Sequence, residues 1–220
     1  MSILIVDNNL HLRGYPQGLI LRAHLGLKEA ANAAIVNPGA LSERDCEPDR
    51  VILTGSTAYI RQENEWMDRE RAFIDAWMKR GVPILGICFG AQLLARHLFG
   101  KEAITALPYP ISGSIRIRYK EGTSLFEGLP NPFGGVTTHY EGFIVPEAYR
   151  VAEIDEWPHY AFSFPGGIHG VQFHPELMDR FGKWLVRIQR QLFDRHVYQD
   201  FDVKTRGADG RRLLANFVRG

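Results

Sequence analysis

Three features of the sequence predict an α/β fold with a mostly parallel central sheet covered by helices on both faces. Short apolar, β-branched runs alternate with helix-period patterns through the first half. Glycine and proline close the helical patterns. The second half then turns to clusters of β-formers, read as later strands and hairpins added to the same sheet.

Taken in order, "ILIVD" (3–7) is the first buried strand, and residues 17–27 form a helix with apolar positions at Ile20, Leu21, Ala23 and Leu27. "AAIVN" (33–37) and "VILTG" (51–55) are the next strands. Residues 64–80 carry Trp66, Met67, Phe73, Ile74, Trp77 and Met78 on one side of a helix that Gly81 and Pro83 close. "PILGI" (83–87) is a further buried strand, followed by a helix from about Phe89 to Phe99 ending at Gly100. "GSIRIRY" (113–119), "GVTTHYEGFIV" (135–145), "AFSF" (161–164) and "GIHGVQF" (167–173) supply the later strands. Beyond Pro175 the pattern predicts a long helix over about 178–195, a polar loop, and a last helix, "GRRLLANFVR", at 210–219. No linker divides the chain, so residues 1–220 are read as a single domain.

Composition narrows the function classes. The 26 Lys and Arg against 25 Asp and Glu leave a net charge of +1, which gives no footprint for nucleic acid or an anionic membrane. No apolar run approaches the roughly 18 residues needed to span a bilayer. "MSILIVD" opens directly in a strand-like run, without the basic region and longer apolar stretch of a secretory signal. With only Cys46 and Cys88, in unlike contexts, a disulfide framework is not expected and a cytoplasmic setting is.

Cys88 stands at a strand-to-helix junction, in "ILGICFGAQLLARHLFG" (84–100). Ligands of open parallel sheets bind beyond the carboxyl ends of the strands, and Cys88 is at such an end. Gly86 and Gly90 bracket it as G-x-C-x-G, the cysteine form of a nucleophile elbow, whose sharp turn needs small neighbours. The turn aims the sulfur away from the sheet and sets it near a helix N-terminus, which favours the thiolate. The Phe89 N–H is then available as an oxyanion donor. Alone, the stretch also fits a small core cysteine.

A second motif weighs against that plainer reading. "GVQFHPE" (170–176) ends an apolar run with His174, Pro175 and Glu176. A histidine at a strand end can serve Cys88 as a base, and a carboxylate two residues on can hold its tautomer. His139 and His169 also lie in strand-like surroundings and compete for that role.

"GICFGAQLLA", "GVQFHPE" and "VILTGS", with "ILIVDN", "SLFEGLP" (124–130) and the final "GRRLLANF", resemble the class I glutamine amidotransferases, the cysteine-triad glutaminase domains. The likeness is greatest to the glutaminase part of GMP synthase and its relatives. It implies a flavodoxin-like α/β sandwich of three layers. It also implies that Cys88 attacks the glutamine side-chain amide to form a γ-glutamyl thioester, that His174 moves the protons and that Glu176 orients His174. The oxyanion hole would combine the Phe89 N–H with one from the turn at Gly55 and Ser56, and Gln92 would help hold the substrate. The segment 139–143 would contact the amino-acid end of glutamine. No cofactor and no metal is called for. An ammonia-accepting synthase is the expected partner, because no phosphate loop of the G-x-x-x-x-G-K-[ST] type is present.

The sequence departs from the family at three places. Gly55-Ser56-Thr57 replaces the usual Gly-Gly-Pro, so a residue with a Cβ shapes the turn. Ala91 stands where relatives often carry His, and the segment 196–209 is longer than the family needs and reads as a solvated loop or, second, a partner surface. Cys46, in "ERDCEPDR", reads as incidental. Two further functions fit the same residues: a stand-alone γ-glutamyl hydrolase, and a non-catalytic binding protein on the same scaffold, which intact Cys88, His174 and Glu176 argue against.

Overall fold

Successive side chains of β1 (Ile3–Val6) go to opposite faces of the sheet. Ile3 and Ile5 enter one hydrophobic core, Leu4 and Val6 the other, and all four are buried. Burial on both faces is what a strand between two helical layers requires. β3 (Arg50–Leu53) and β4 (Ile84–Ile87) repeat the pattern. Ile52, Leu85 and Ile87 join the first core, while Val51, Leu53 and Ile84 join the second. These features come from a computed structural model, which describes residues 1–9, 16–26, 33–42, 45, 47–179, 182, 184 and 204–220.

β2 (Ala33–Val36) and β9 (Ile168–Val171) flank this centre, giving a parallel run β2-β1-β3-β4-β9. β8 (Ala161–Phe164), β7 (Arg150–Glu153), β5 (Ile104–Tyr119) and β6 (Phe133–Phe143) extend it with antiparallel pairings. The full order among the described residues is β2-β1-β3-β4-β9-β8-β7-β5-β6. Helices α1 (Gln17–His24) and α4 (Gly207–Arg219) cover the first core through Leu21, Leu213, Leu214 and Phe217. Helices α2 (Glu65–Lys79) and α3 (Phe89–Phe99) cover the second through Met67, Ile74, Trp77, Leu93 and Leu94. The result is three layers. Among the described residues no helix is long and apolar enough to cross a membrane.

Three elements differ from expectation. β5 begins at Ile104 rather than at 113. Pro108 and Pro110 lack the N–H a ladder needs, and the register with β6 shifts between Ala106 and Ile111 as a bulge. The four-residue β7 carries too short a pattern to be read from sequence. α4 begins at Gly207 rather than 210, so the Asp-Gly pair lies inside the helix. A Cβ on Gly210 would stand 2.0 Å from the Pro175 carbonyl oxygen, so glycine there serves close docking rather than a loop. The helix expected over about 178–195 falls almost wholly outside the described residues, as do Cys46 and 196–203 of the expected loop.

Candidate active site

The junction after β4 is built by its glycines. A Cβ on Gly86 would come within 2.5 Å of the Gly90 backbone, and one on Gly90 within 2.4 Å of the Leu53 carbonyl oxygen. Two bare backbones can therefore cross where side chains could not. Between them Cys88 takes φ 51° and ψ −106°, and among the described residues it is the one non-glycine residue with positive φ. Such a conformation costs on the order of 1–3 kcal/mol and persists only where its surroundings enforce it. Here the Cys88 N–H donates to the Val171 carbonyl at 2.8 Å, and the Gly90 N–H donates to the Thr54 carbonyl at 3.1 Å. Cys88 caps the N-terminus of α3, so the Phe89 N–H belongs to the first turn, which has no partner within its own helix. The Phe89 ring is core, tilted against Trp66 with ring centroids 5.5 Å apart.

His174 follows β9 and precedes the 3₁₀ turn Pro175–Leu177. Its N–H donates to the Val136 carbonyl at 2.7 Å. Its ring Nδ1 bonds Glu176 Oε1 at 2.7 Å, with both side chains buried. Burial alone would push the imidazole down, but the Glu176 carboxylate and the Cys88 sulfur outweigh it and lift the ring to about 10. The other nitrogen, Nε2, is buried with no hydrogen-bond partner among the described residues. Cys88, His174 and Glu176 thus share one site, and all three are buried.

Gly55 borders them directly. A Cβ there would lie 3.0 Å from His174 Cε1 and 3.0 Å from Gln17 Nε2, so the chain passes against the imidazole. Gln17 Nε2 donates to Glu176 Oε1 at 3.4 Å. Ser56 turns its hydroxyl inward along the loop, where it accepts the Ala58 N–H at 3.1 Å. Gln92 is buried and its Nε2 is already engaged, with the Glu141 carbonyl at 2.6 Å and Gln172 Oε1 at 3.3 Å.

Residues 23–183 match the family model described as "Glutamine amidotransferase class-I". The chain belongs to that family. Among the relatives of this amidotransferase, a GMP synthase [glutamine-hydrolyzing] of Caldicellulosiruptor saccharolyticus is 35% identical over 145 residues, covering 64% of this chain and 27% of that protein. The chain spans about a quarter of the length of the curated relatives it matches, 27%, 25% and 24% for the first three. A solved structure from Thermoplasma acidophilum, described as a "putative gmp synthase subunit a protein", aligns with a TM-score of 0.73 at 23% identity, over 100% of this chain and 92% of that one. A glutamine amidotransferase of Methylobacillus flagellatus aligns with a TM-score of 0.76 at 15% identity, over 99% and 94%. The fold is the flavodoxin-like sandwich that the sequence resemblance implies.

The amidotransferase commits its other strand histidines elsewhere. His139 bonds the Glu141 carbonyl at 2.8 Å and the Tyr160 hydroxyl at 3.1 Å, and burial pushes it down to about 4. A backbone carbonyl only accepts, so Nδ1 carries the proton and Nε2 faces Tyr160. His169 bonds the Ser163 hydroxyl at 2.8 Å and packs edge-on to Phe217 of α4. Both of its neighbours are structural.

Three contacts around the site were not anticipated, although Glu141 lies in the segment 139–143 named above. Gln172 Nε2 donates to Cys88 Sγ at 3.6 Å, and the Thr138 carbonyl lies 3.8 Å from the same sulfur. Glu141, buried, accepts the Ile60 N–H at 2.7 Å and Arg61 Nε at 2.6 Å, strapping the loop beyond Ser56 to β6. A polar residue inside the apolar run "GVQF" was the available signal for Gln172. Among the described residues no group of three or more His, Cys, Asp or Glu side chains is arranged to hold a metal ion.

Proposed function

We propose that this chain hydrolyses the side-chain amide of glutamine and hands the ammonia to a partner synthase. The observation that carries the reading is the meeting of Cys88, raised on its positive-φ turn, with the buried His174–Glu176 pair. The thiolate attacks the side-chain carbonyl carbon of glutamine after His174 has taken the thiol proton. The imidazolium then gives that proton to the departing nitrogen, ammonia leaves and a γ-glutamyl thioester remains. Water, deprotonated by the same imidazole, attacks the thioester and expels the thiolate, leaving glutamate. Glu176 keeps Nδ1 protonated and turns Nε2 toward the sulfur. The Phe89 N–H and one from the turn at Gly55 and Ser56 hold the oxyanion, while Gln92 and residues 139–143 border the amino-acid end.

The relatives' name, glutamine-hydrolysing GMP synthase, supports a synthase as acceptor. A free thiol nucleophile suits the reducing cytoplasm. Residues 1–220 act as one glutaminase domain in this reading. Steady-state ammonia release from purified protein tests it, with and without candidate synthases. Glutamine is expected to be the preferred substrate, with low turnover alone rising at least about tenfold with the cognate synthase, because a displaced oxyanion donor is worth roughly 10²–10³ in rate.

Ser56 favours a second reading. Its hydroxyl pins the turn by accepting the Ala58 N–H at 3.1 Å, and a turn already fixed suits an enzyme that works without a partner. A stand-alone γ-glutamyl hydrolase would show full activity by itself and prefer γ-glutamyl compounds to glutamine. That outcome would replace the first reading.

A further inference from the structure

We propose that Gln172 is a catalytic residue whose side-chain N–H faces the Cys88 sulfur and favours it as the thiolate. The oxygen and nitrogen of a side-chain amide are alike in size, so its orientation follows from its neighbours. The Glu141 backbone carbonyl can only accept. It lies 2.6 Å from the Gln92 amide, so the Gln92 atom facing it is Nε2. The same Nε2 stands 3.3 Å from the Gln172 amide and turns its second N–H there, so the Gln172 atom facing it is Oε1. The opposite end of Gln172 is then Nε2, 3.6 Å from Cys88 Sγ. One carbonyl of β6 sets the polarity of two amides in series and delivers a donor to the nucleophile.

The strand holds Gln172 in place. Gln172 is fully buried, and its backbone N–H is fixed on the Tyr160 carbonyl at 2.9 Å. The Thr138 carbonyl, 3.8 Å from the sulfur, suits an S–H, whereas the Gln172 N–H suits a sulfur that has lost its proton. The catalytic consequence rests on Cys88 being the nucleophile proposed above; the hydrogen bond itself does not.

Alkylation of Cys88 by iodoacetamide at neutral pH, followed on its own peptide by mass spectrometry, reads the thiolate without any amide substrate. Gln172→Leu is expected to slow it about tenfold or more, the scale of one hydrogen bond to a charged group. Gln172→Glu keeps the shape and turns an acceptor to the sulfur, so it is expected to slow alkylation further. Gln92→Leu releases Gln172 to rotate and is expected to fall between wild type and Gln172→Leu. In the two Gln172 variants ammonia release is expected to lose kcat in parallel, with KM within about twofold. Alkylation of folded Gln172→Glu at the wild-type rate overturns the proposal, and that variant decides the matter if Gln172→Leu does not fold. Slowed alkylation in a protein whose wild type hydrolyses neither glutamine nor any γ-glutamyl compound would uphold this hydrogen bond and remove the function.

Discussion

Asn8 Nδ2 donates to Glu70 Oε1 across 3.1 Å, with both side chains fully shut off from water. Asn8 is held from its other side as well: its backbone N–H donates to Thr54 Oγ1 at 2.8 Å and its Nδ2 to the Thr54 carbonyl at 3.2 Å. A carboxyl group on α2 is thereby tied to the residue immediately before the Gly55–Thr57 turn.

That arrangement makes stability depend on pH. Burial pushes Glu70 up to about 8 from its ordinary 4.5, and the Asn8 bond only partly opposes it. Between those values the folded protein keeps a proton that the unfolded chain has released. Stability therefore falls as pH rises through the window, and the loss is complete above about 8. Glu70→Gln has no proton to lose. It is expected to melt above wild type at about pH 8, with the gain shrinking toward about pH 5. Thermal melts at the two pH values check this, and a difference that does not change with pH would contradict it.

Cys88→Ala is expected to abolish ammonia release, by at least about 10⁴-fold, while leaving the far-UV circular dichroism unchanged. Cys88→Ser should not rescue it, because a hydroxyl ionises far less readily than a thiol. Cys46→Ala is expected to be nearly silent. Turnover by a purified Cys88→Ala sample above a buffer blank would mean that another group attacks.

Loss of His174 is expected to match loss of Cys88, whereas Glu176→Gln costs roughly 10–10²-fold less, and the losses will not add because the groups act together. The Glu176 variant also carries a pH signature. The carboxylate and the sulfur hold His174 at about 10, so the stabilisation from its proton is whole below 6.5 and disappears as pH rises through about 10. Without the carboxylate that alkaline edge moves to lower pH. Melts and kcat/KM measured from neutral to alkaline pH should show both edges moving together.

Gly210→Val is expected to lower stability by about 1–3 kcal/mol and to reduce activity as well. Its Cβ would meet the Pro175 carbonyl oxygen at 2.0 Å, and Pro175 leads directly into Glu176. Gly207→Ala serves as the control, since its Cβ would meet Arg211 Nη1 and Asp179 Cβ at 3.2 Å, where a flexible side chain can give way. Equal effects of the two substitutions would show that α4 does not bear on the His-Pro-Glu turn.

Much of this was legible in the residues. The buried strands announced themselves because both faces are apolar, and the elbow because only Gly86 and Gly90 let the chain cross itself. Glu70 was less visible. It stands three residues after Met67 and four before Ile74, on the buried stripe of α2, but a carboxyl group there reads as a gap in the pattern. Gln172 and Glu141 were hidden for another reason: each matters through a partner about 80 residues away in sequence, 84 for Gln172 with Cys88 and 81 for Glu141 with Ile60. The start of β5 was obscured by prolines that the bulge accommodates.

The backbone at Cys88 has a consequence for durability. Its φ of 51° and ψ of −106° belong to glycine, so any side chain there is carried at a loss. Replacing Cys88 by glycine would relax a strain on the order of 1–3 kcal/mol and give up the burial of one small side chain, worth about 1 kcal/mol. Glycine also costs about 0.5–1 kcal/mol in conformational entropy, so Cys88→Gly is expected to leave heat stability within about 1 kcal/mol of wild type. The backbone at this one position is shaped for glycine, and the strain carried there is the local cost of holding a sulfur at the end of β4.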